Sequence, residues 1–311
     1  MYKTEFCDRA AWRDILGWVH HDNGEESYRT KNALDTLVLE HSAGKVAVVR
    51  ESFTGQMVAG AYAAALHGGV VSIGAIRIDR ADILVTTSEL LQELLQSFAD
   101  SNIELVQAIA TEFTGLERKV LESVGLRYLA YLDHLVLFID QQTRASGAAF
   151  DALTQSAKGL TLRVFREGDE QPLERVVSDS YIDTLDCPLL GNYRTGKAAV
   201  EGYLLGRDQP HSWWLAEYEG TEVGCLLLWE RAPAIWELTY MGIVPNVRGK
   251  KFGAVLLEAA IAVAAQNGAK QLVLSVDRDN HPATRLYLQR GLYCYNSTEV
   301  WFSNGATVKP S

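Results

Sequence analysis

Two periodicities run along this chain, and their order comes round twice. Apolar residues recur every three or four positions over Ala10–His20 and Arg29–Glu40, which predicts two amphipathic helices. Shorter apolar runs at Lys45–Val49, Met57–Leu66 and Val70–Ile78 predict strands. The turn Phe53–Gln56 links the first two as a hairpin, and His67–Gly69 links the next two. Thr87–Ala99 is predicted as a helix with Ser and Thr available to cap it. Ile103–Ala110 reads as a strand, Gly115–Val124 as a helix stopped by Gly125, and Leu126–Ile139 as a strand.

Small and polar residues over 146–158 predict a linker between a first domain, 1–145, and a second, 159–311. The order then repeats. Leu160–Phe165 is a strand, Glu170–Ser180 and Thr195–Leu205 are helical, and Ser212–Glu217 with Gly224–Trp229 forms a hairpin. Trp236–Val244 is a strand, Phe252–Asn267 a helix stopped by Gly268, and Gln271–Val276 a strand. His281–Arg290 is a helix stopped by Gly291, and Tyr293–Phe302 closes the sheet. The helix-ending glycines correspond, Gly125 with Gly291, so the pattern indicates an internal duplication of domain size.

A length of 311 residues suits two domains, and 48% hydrophobic with 22% charged residues is an ordinary globular composition. The net charge of −10 argues against a general nucleic-acid binder, which needs a basic face. Cys7, Cys187, Cys225 and Cys294 are widely spaced, with no metal-ligand pattern, so no metal is expected and a reducing cytoplasm fits. No apolar h-region of a signal peptide is read near the N-terminus. The longest apolar run, Ala254–Ala265, is broken by Glu258 and is too short for a bilayer, so no membrane partner is expected.

Against this acidic background one stretch is basic. Trp236–Val244 runs through Pro245 into Arg248-Gly-Lys-Lys-Phe-Gly253 and then a long apolar helix. A strand, a glycine turn and a helix N-terminus in that order point backbone N–H groups at one spot, which suits a phosphate. A basic turn of this kind also occurs where nothing binds. A second constellation follows at Asn280-His-Pro-Ala-Thr-Arg-Leu-Tyr287. Taken alone it is a capped helix start, with Pro282 in the first turn and Leu286 and Tyr287 turned to the core.

Together these segments resemble the GCN5-related N-acetyltransferase (GNAT) superfamily. Its pyrophosphate signature, Arg/Gln-x-x-Gly-x-Gly/Ala, is matched from Arg248 to Gly253, with Lys251 in place of the central glycine. Its later signature is matched by Asn280, Ala283, Leu286, Tyr287, Gly291 and Leu292. The likeness covers roughly residues 160–303, whereas the first half matches only in element order. The layout is similar to the tandem arrangement of mycothiol synthases, with a degenerate first copy. The resemblance implies an α/β fold of two tandem domains, each a mostly antiparallel mixed sheet flanked by helices.

The resemblance further implies acetyl-CoA as cosubstrate. Met241, Gly242 and Ile243 would bond the pantetheine arm. Backbone N–H groups of Arg248, Gly249, Lys250, Lys251, Phe252, Gly253 and Ala254 would hold the pyrophosphate, and Asn280 would reach the arm. Tyr287 would be the acid at the sulfur; an unperturbed phenol, pKa ~10, keeps its proton at neutral pH. Strand alternation puts Glu237, Thr239 and Met241 on one face, and Glu237 is the candidate base, drawing the proton through water. It reads equally as a strand-end carboxylate facing solvent. His211, Tyr193 and Arg194 are weaker site candidates.

In the first half, Thr114 stands opposite Asn280 and Leu121 opposite Tyr287, and Asp79–Thr86 holds no glycine. That half is expected to lack a coenzyme cradle. The leading expectation is an N-acetyltransferase acting on a small-molecule or peptide amine by direct attack, as a monomer or homodimer. The alternatives are a non-catalytic acyl-CoA-binding module and an acyltransferase of thiol metabolism.

Overall fold

The structure, a computed structural model, describes residues 1–22, 27–38, 43–66, 68–99, 103–140, 159–190, 195–204 and 212–305. The expected linker and His211, Tyr193 and Arg194 lie outside the described residues. Two compact units are present, Met1–Ala130 with Thr298–Ser311, and Tyr131–Ser297.

In the first unit, β1 (Tyr2–Phe6), β2 (Ala43–Glu51), β3 (Met57–Leu66), β4 (Val70–Ile78) and β5 (Leu105–Ala110) lie side by side in that order. All neighbours are antiparallel except β4 and β5. Helices α1 (Arg9–Val19) and α2 (Tyr28–Val38) cover one face, where Trp12, Ile15, Leu16 and Leu37 pack on Val46, Val48 and Tyr62. Helices α3 (Leu84–Gln96) and α4 (Gly115–Ser123) cover the other, through Leu90, Leu91, Leu94 and Leu121. The strand β1 was not foreseen. With polar Lys3, Thr4 and Glu5 between its two aromatic ends, it carries little apolar signal, and its ladder with β2 from Tyr2↔Glu51 to Phe6↔Ala47 defines it.

The second unit repeats this plan. It holds β6 (Arg127–Phe138, from residue 131), β7 (Leu160–Val164), α5 (Glu170–Ser180), α6 (Gly196–Leu204), β8 (Trp213–Tyr218) and β9 (Thr221–Ala232). It continues with β10 (Ile235–Ile243), α7 (Phe252–Gln266), β11 (Gln271–Asp277), α8 (His281–Gln289) and the start of β12 (Tyr293–Asn304). The sheet order is β6-β11-β10-β9-β8-β7, with β10 and β11 the parallel pair. Helices α5 and α6 pack on one face through Leu173, Val176, Val177 and Ala199, and α7 is buried on the other. This is the expected α/β class, with a mixed, mostly antiparallel sheet between helices in each unit.

One expectation fails. Tyr293–Phe302 was to close the sheet of its own half. Instead, residues 299–304 of β12 pair with β5 in the first unit, from Glu299↔Ala110 to Asn304↔Leu105. Residues 132–138 of β6 pair with β11 in the second, with Asp133↔Val276. Each unit therefore takes its last strand from the other half of the chain, so the compact units are not the consecutive halves 1–145 and 159–311. Alternation along a strand specifies which face is buried but not which edge it joins, which is why the pattern could not show the exchange.

The duplication is confirmed by local geometry. Thr114 and Asn280 each cap a helix of nine residues and accept from its first turn. Gly125 (φ 84°) and Gly291 (φ 83°) end those helices in the left-handed conformation that suits glycine. The spacing is 166 residues in both cases (114 to 280, 125 to 291), and Ala110 opposite Glu299 stands at the same spacing from Val276 opposite Asp133. The ladders β3–β4 and β9–β10 each slip by one residue, at Gly74 and at Thr239.

The copies part at one place. In the first unit, β4 leads to a 3-10 turn, Ala81–Ile83, and α3 begins at the next residue. In the second, the turn Pro245–Val247 is followed by Arg248–Lys251 before α7 begins.

Candidate functional site

The site is built where β10 and β11 separate. They pair only over Ile235–Glu237 and Gln271–Val273, and then splay. On its far edge β10 stays bonded to β9, as in Met241↔Leu226 and Ile243↔Gly224. From Leu238 onward its near edge is thus free to hydrogen-bond to something else. The gap opens a cleft of about 620 Å³, walled by Leu238–Ile243, Leu274–Val276, the loop after α5 and the start of α8.

The slip at Thr239 reverses the alternation. Tyr240 pairs with Leu227 and Leu238 with Leu228, so Thr239 is the extra residue of a bulge. Trp236 and Leu238 pack on the α7 side, and beyond the bulge Met241 and Ile243 join them there. Tyr240 faces α5 and α6. The expected common face of Glu237, Thr239 and Met241 therefore does not exist. The Glu237 carboxylate lies 3.9 Å from Arg231 Nη1 and is not among the groups lining the cleft. Thr239 does line it, and its hydroxyl is buried with no hydrogen-bond partner among the described residues.

A second cavity of about 700 Å³ continues from the first at the basic turn, with Ile243, Arg248, Gly249, Gly253 and Leu286 lining both. Gly249 (φ 81°) and Lys251 (φ 65°) are both left-handed, and Lys251 is the N-cap of α7. The N–H of Arg248 donates to Pro245 O at 3.1 Å, and that of Ala254 to Lys251 O at 3.2 Å. Between them, no described group accepts from the N–H groups of Gly249 to Gly253, which stand at the positive end of a 15-residue helix.

The cations at the turn are less free than their number suggests. The Arg248 guanidinium donates from Nε to Ile243 O (3.1 Å), from Nη1 to Asp183 O (3.0 Å) and from Nη2 to Ser180 O (2.9 Å). It thereby satisfies the carbonyl end of α5 and ties the following loop to the strand. Lys250 Nζ sits 5.0 Å over the Tyr218 ring. Lys251 is exposed at the cavity rim.

On α8, Asn280 Oδ1 accepts from Ala283 N at 3.3 Å, so its side chain is the helix cap as well as part of the cleft wall. Tyr287 is buried at 8% exposure and lines the cleft. Burial, with a smaller contribution from the Asp186 charge, holds its phenol well above its ordinary value.

Asp186, Asp277, Ser180 and Tyr240 belong to this site, and the sequence did not single them out. Asp186 Oδ1 accepts from the Asp277 N–H at 2.9 Å, and Asp277 Oδ2 accepts from the Cys187 N–H at 3.0 Å. Tyr240 and Ser180 share a 2.7 Å hydroxyl–hydroxyl bond at the cleft wall. Desolvation raises the Asp186 carboxyl from its ordinary value; the Asp277 N–H and the Asn280 side chain oppose this, and the Asp277 charge adds to it. The residue itself is exposed on the open side of the cleft. Asp186 was not legible because the loop after α5 has no periodicity to place it, and Ser180, Tyr240 and Asp277 were not because the pattern of a helix or strand gives its buried face and not its partners.

These features fit an acyl-CoA. A free strand edge suits an extended amide chain, an orphaned hydroxyl faces the cleft, and a ring of unpaired N–H groups stands at its end. No group of three or more metal-ligating side chains occurs among the described residues. No helix among them is long and apolar enough to cross a membrane.

Comparison with known proteins agrees with this geometry. Residues 180–292 match the Acetyltransferase (GNAT) family, a span that holds β10, the basic turn and α8. The chain is 32% identical over 130 residues to an uncharacterised N-acetyltransferase, YhfO, of Bacillus subtilis, covering 35% of this chain and 87% of that one. It is also 32% identical over 72 residues to a mycothiol acetyltransferase of Corynebacterium aurimucosum, where the match spans 23% of this chain and only 24% of that protein. A crystal structure of a GCN5-related N-acetyltransferase from Sphaerobacter thermophilus shares the fold with a TM-score of 0.62 at 19% identity, over 100% of this chain and 96% of that one. The chain belongs to the GNAT family of acetyltransferases. It is an acyltransferase of that family, with its cleft in the second unit.

Proposed function

We propose that the protein transfers an acetyl group from acetyl-CoA to a primary amine, by direct attack, in the cleft of the second unit. The observation that carries this reading is the convergence of the free β10 edge, the unpaired N–H groups of the turn and the Tyr287 phenol on one continuous cavity. Bound acetyl-CoA supplies a thioester carbonyl activated toward nucleophiles. The N–H groups of Gly249 to Gly253 hold the pyrophosphate, while Met241, Gly242, Ile243 and Asn280 align the arm. Lys250 and Lys251 add positive charge at the rim. The phenol of Tyr287 keeps its proton at neutral pH and gives it to the departing sulfur.

Direct attack is favoured over an acyl-cysteine because the nearby thiols are not nucleophiles. Burial raises the Cys187 thiol far above its ordinary value, and burial pushes Cys225 up to about 12. A role for Glu237 as base needs a chain of water molecules around the strand, since its carboxylate pairs with Arg231 outside the cleft.

The first unit takes no coenzyme on this reading. Its helix α3 follows the 3-10 turn without the four-residue segment that forms the cradle, and Leu121 stands where Tyr287 supplies the acid. Calorimetry with acetyl-CoA, followed by thiol release on a panel of amines, tests the proposal. Stoichiometry of one coenzyme per chain with amine-dependent thiol release is expected. Binding without release on a broad panel would point instead to an acyl-CoA-sensing module.

A further inference from the structure

We propose that Asp186 holds the acceptor's ammonium and takes its proton, so that the acceptor is a cationic alkylamine rather than a neutral nucleophile. This rests on the transferase reading above and names the substrate class of the same cleft.

Four observations carry it. First, Asp186 is on the cleft wall with Tyr287, close enough that its charge acts on the phenol. Second, it is held in place: Oδ1 accepts from the Asp277 N–H at 2.9 Å, while the Asp277 carboxylate accepts from the N–H groups of Cys187 and Asp279, each at 3.0 Å. The Asn280 side chain also bonds to the carboxylate, which stays exposed on the cleft side. Third, the charge of the lining is negative. Asp183 and Asp186 line the cleft, and its one cation among the described residues, Arg248, spends its donors on the carbonyls of Ile243, Asp183 and Ser180. Such a wall attracts cations and repels carboxylate acceptors. Fourth, the rings of Tyr181 and Tyr240 line the same cleft, edge to face with centroids 6.0 Å apart, and aromatic rings are favourable neighbours for an ammonium.

The step balances simply. One N–H bond of the ammonium breaks, its electron pair stays on nitrogen as the attacking lone pair, and the proton forms an O–H bond at Oδ2. It then leaves through the open mouth of the cleft. Desolvation raises the carboxyl from its ordinary value, which narrows the gap to an alkylammonium with a pKa near ~10. The groups that interact with Asp186 are Asp277 from β11, Asn280 and Tyr287 from α8, and the Cys187 thiol beside it; Asp183 lines the same cleft. Asn280 favours its charged form, and Asp277 opposes it.

The test uses the full chain and the variants Asp186→Asn and Asp186→Glu. Asparagine keeps an oxygen to accept from the Asp277 N–H, so the loop stays anchored. Acetyl-CoA affinity, read by calorimetry, is expected to change less than about threefold, a small effect because Asp186 lies beyond the cradle. With benzylamine or spermidine, kcat/KM is expected to fall about 100-fold or more in Asp186→Asn, the usual loss for a general base. With aniline, which is neutral at pH 7 and needs no such proton acceptor, the fall is expected to be much smaller. Titration of benzylamine into the unloaded chain should show binding that Asp186→Asn abolishes and Asp186→Glu partly restores.

An unchanged ratio of benzylamine to aniline turnover in Asp186→Asn would overturn the assignment while leaving the transferase reading intact. Loss of acetyl-CoA binding in that variant would also overturn it, by making Asp186 part of the coenzyme site. No thiol release with any amine by the unmodified chain would overturn both the reading and the assignment.

Discussion

The carboxylate of Asp186 accepts from the backbone N–H of Asp277 at 2.9 Å, and the carboxylate of Asp277 accepts from the backbone N–H of Cys187 at 3.0 Å. The two residues form a reciprocal clasp between the loop after α5 and the end of β11. Asp277 is 3% exposed and also accepts from the Asp279 N–H. Asp277→Ala removes both acceptors and leaves their donors unpaired. A loss of about 2–3 kcal/mol in urea-denaturation stability is expected. Because the loop carries Asp186, KM for the amine should rise more than the Kd of acetyl-CoA.

Tyr287→Phe removes only the phenol oxygen from a ring already buried against Leu286 and Leu292 in the α7-side core. Packing is preserved, so stability and acetyl-CoA affinity should stay within about threefold and 1 kcal/mol of the parent. Turnover should drop about 10²-fold or more. Single-turnover kinetics beside calorimetry separates the two, and an unchanged rate would remove Tyr287 as the acid.

At Gly253 the space and the field make different demands. A Cβ there would meet Leu286 Cδ2 at 3.6 Å and Ile243 Cδ1 at 3.9 Å, which is ordinary contact. Gly253→Ala should therefore fold normally. Gly253→Glu puts a carboxylate among the N–H groups of the cradle, where it competes with and repels a pyrophosphate. It is expected to abolish acetyl-CoA binding in calorimetry while the thermal melt of the free protein moves little.

Lys251 occupies a left-handed position at the N-cap of α7 without a side-chain cap. A non-glycine residue there costs about 1 kcal/mol. Lys251→Gly should raise stability by somewhat less than that, since glycine also loses more freedom on folding. It should weaken acetyl-CoA only a few-fold, and chiefly at low salt, where an exposed charge acts at range. A melt and a salt series of Kd check both.

Much of this was readable from residue order. The strands β10 and β11, though not their parallel pairing, the basic turn between β10 and α7, and the capped helix α8 each rest on local signals: a run of apolar residues, a glycine turn, an Asn before a helix. The bulge at Thr239 was not, because one extra residue leaves no mark on composition, yet it turned Glu237 away from Met241 and the cleft. Nor was the role of Arg248, whose bonds to Ser180 O and Asp183 O join residues 68 and 65 positions apart. Asp186 escaped for the same reason, since its partner Asp277 is 91 residues on.

Glu299 offers a test in the first unit. Its side chain, 2% exposed, accepts from Arg118 Nε and Nη2, the Phe113 N–H and Trp301 Nε1. Burial alone would raise its carboxyl, but these donors outweigh burial and hold it below the ordinary value. The stabilisation is thus full above the unfolded pKa, near ~4.3, and is lost as pH falls through the lower folded value. Glu299→Gln should cost about 2–4 kcal/mol at pH 7 and progressively less below pH ~4, as followed by denaturation at several pH values.

The last strands of the two units bear on ancestry as well as on folding. The strand that hydrogen-bonds to β11, one wall of the cleft, is encoded before residue 139, while residues 299–304 complete the unit that has no cradle. Gene recombination that replaced either half would bring a foreign strand into the sheet of each unit. Each half of the chain is thus a strand donor to the unit built mainly from the other, which ties the two halves together in inheritance.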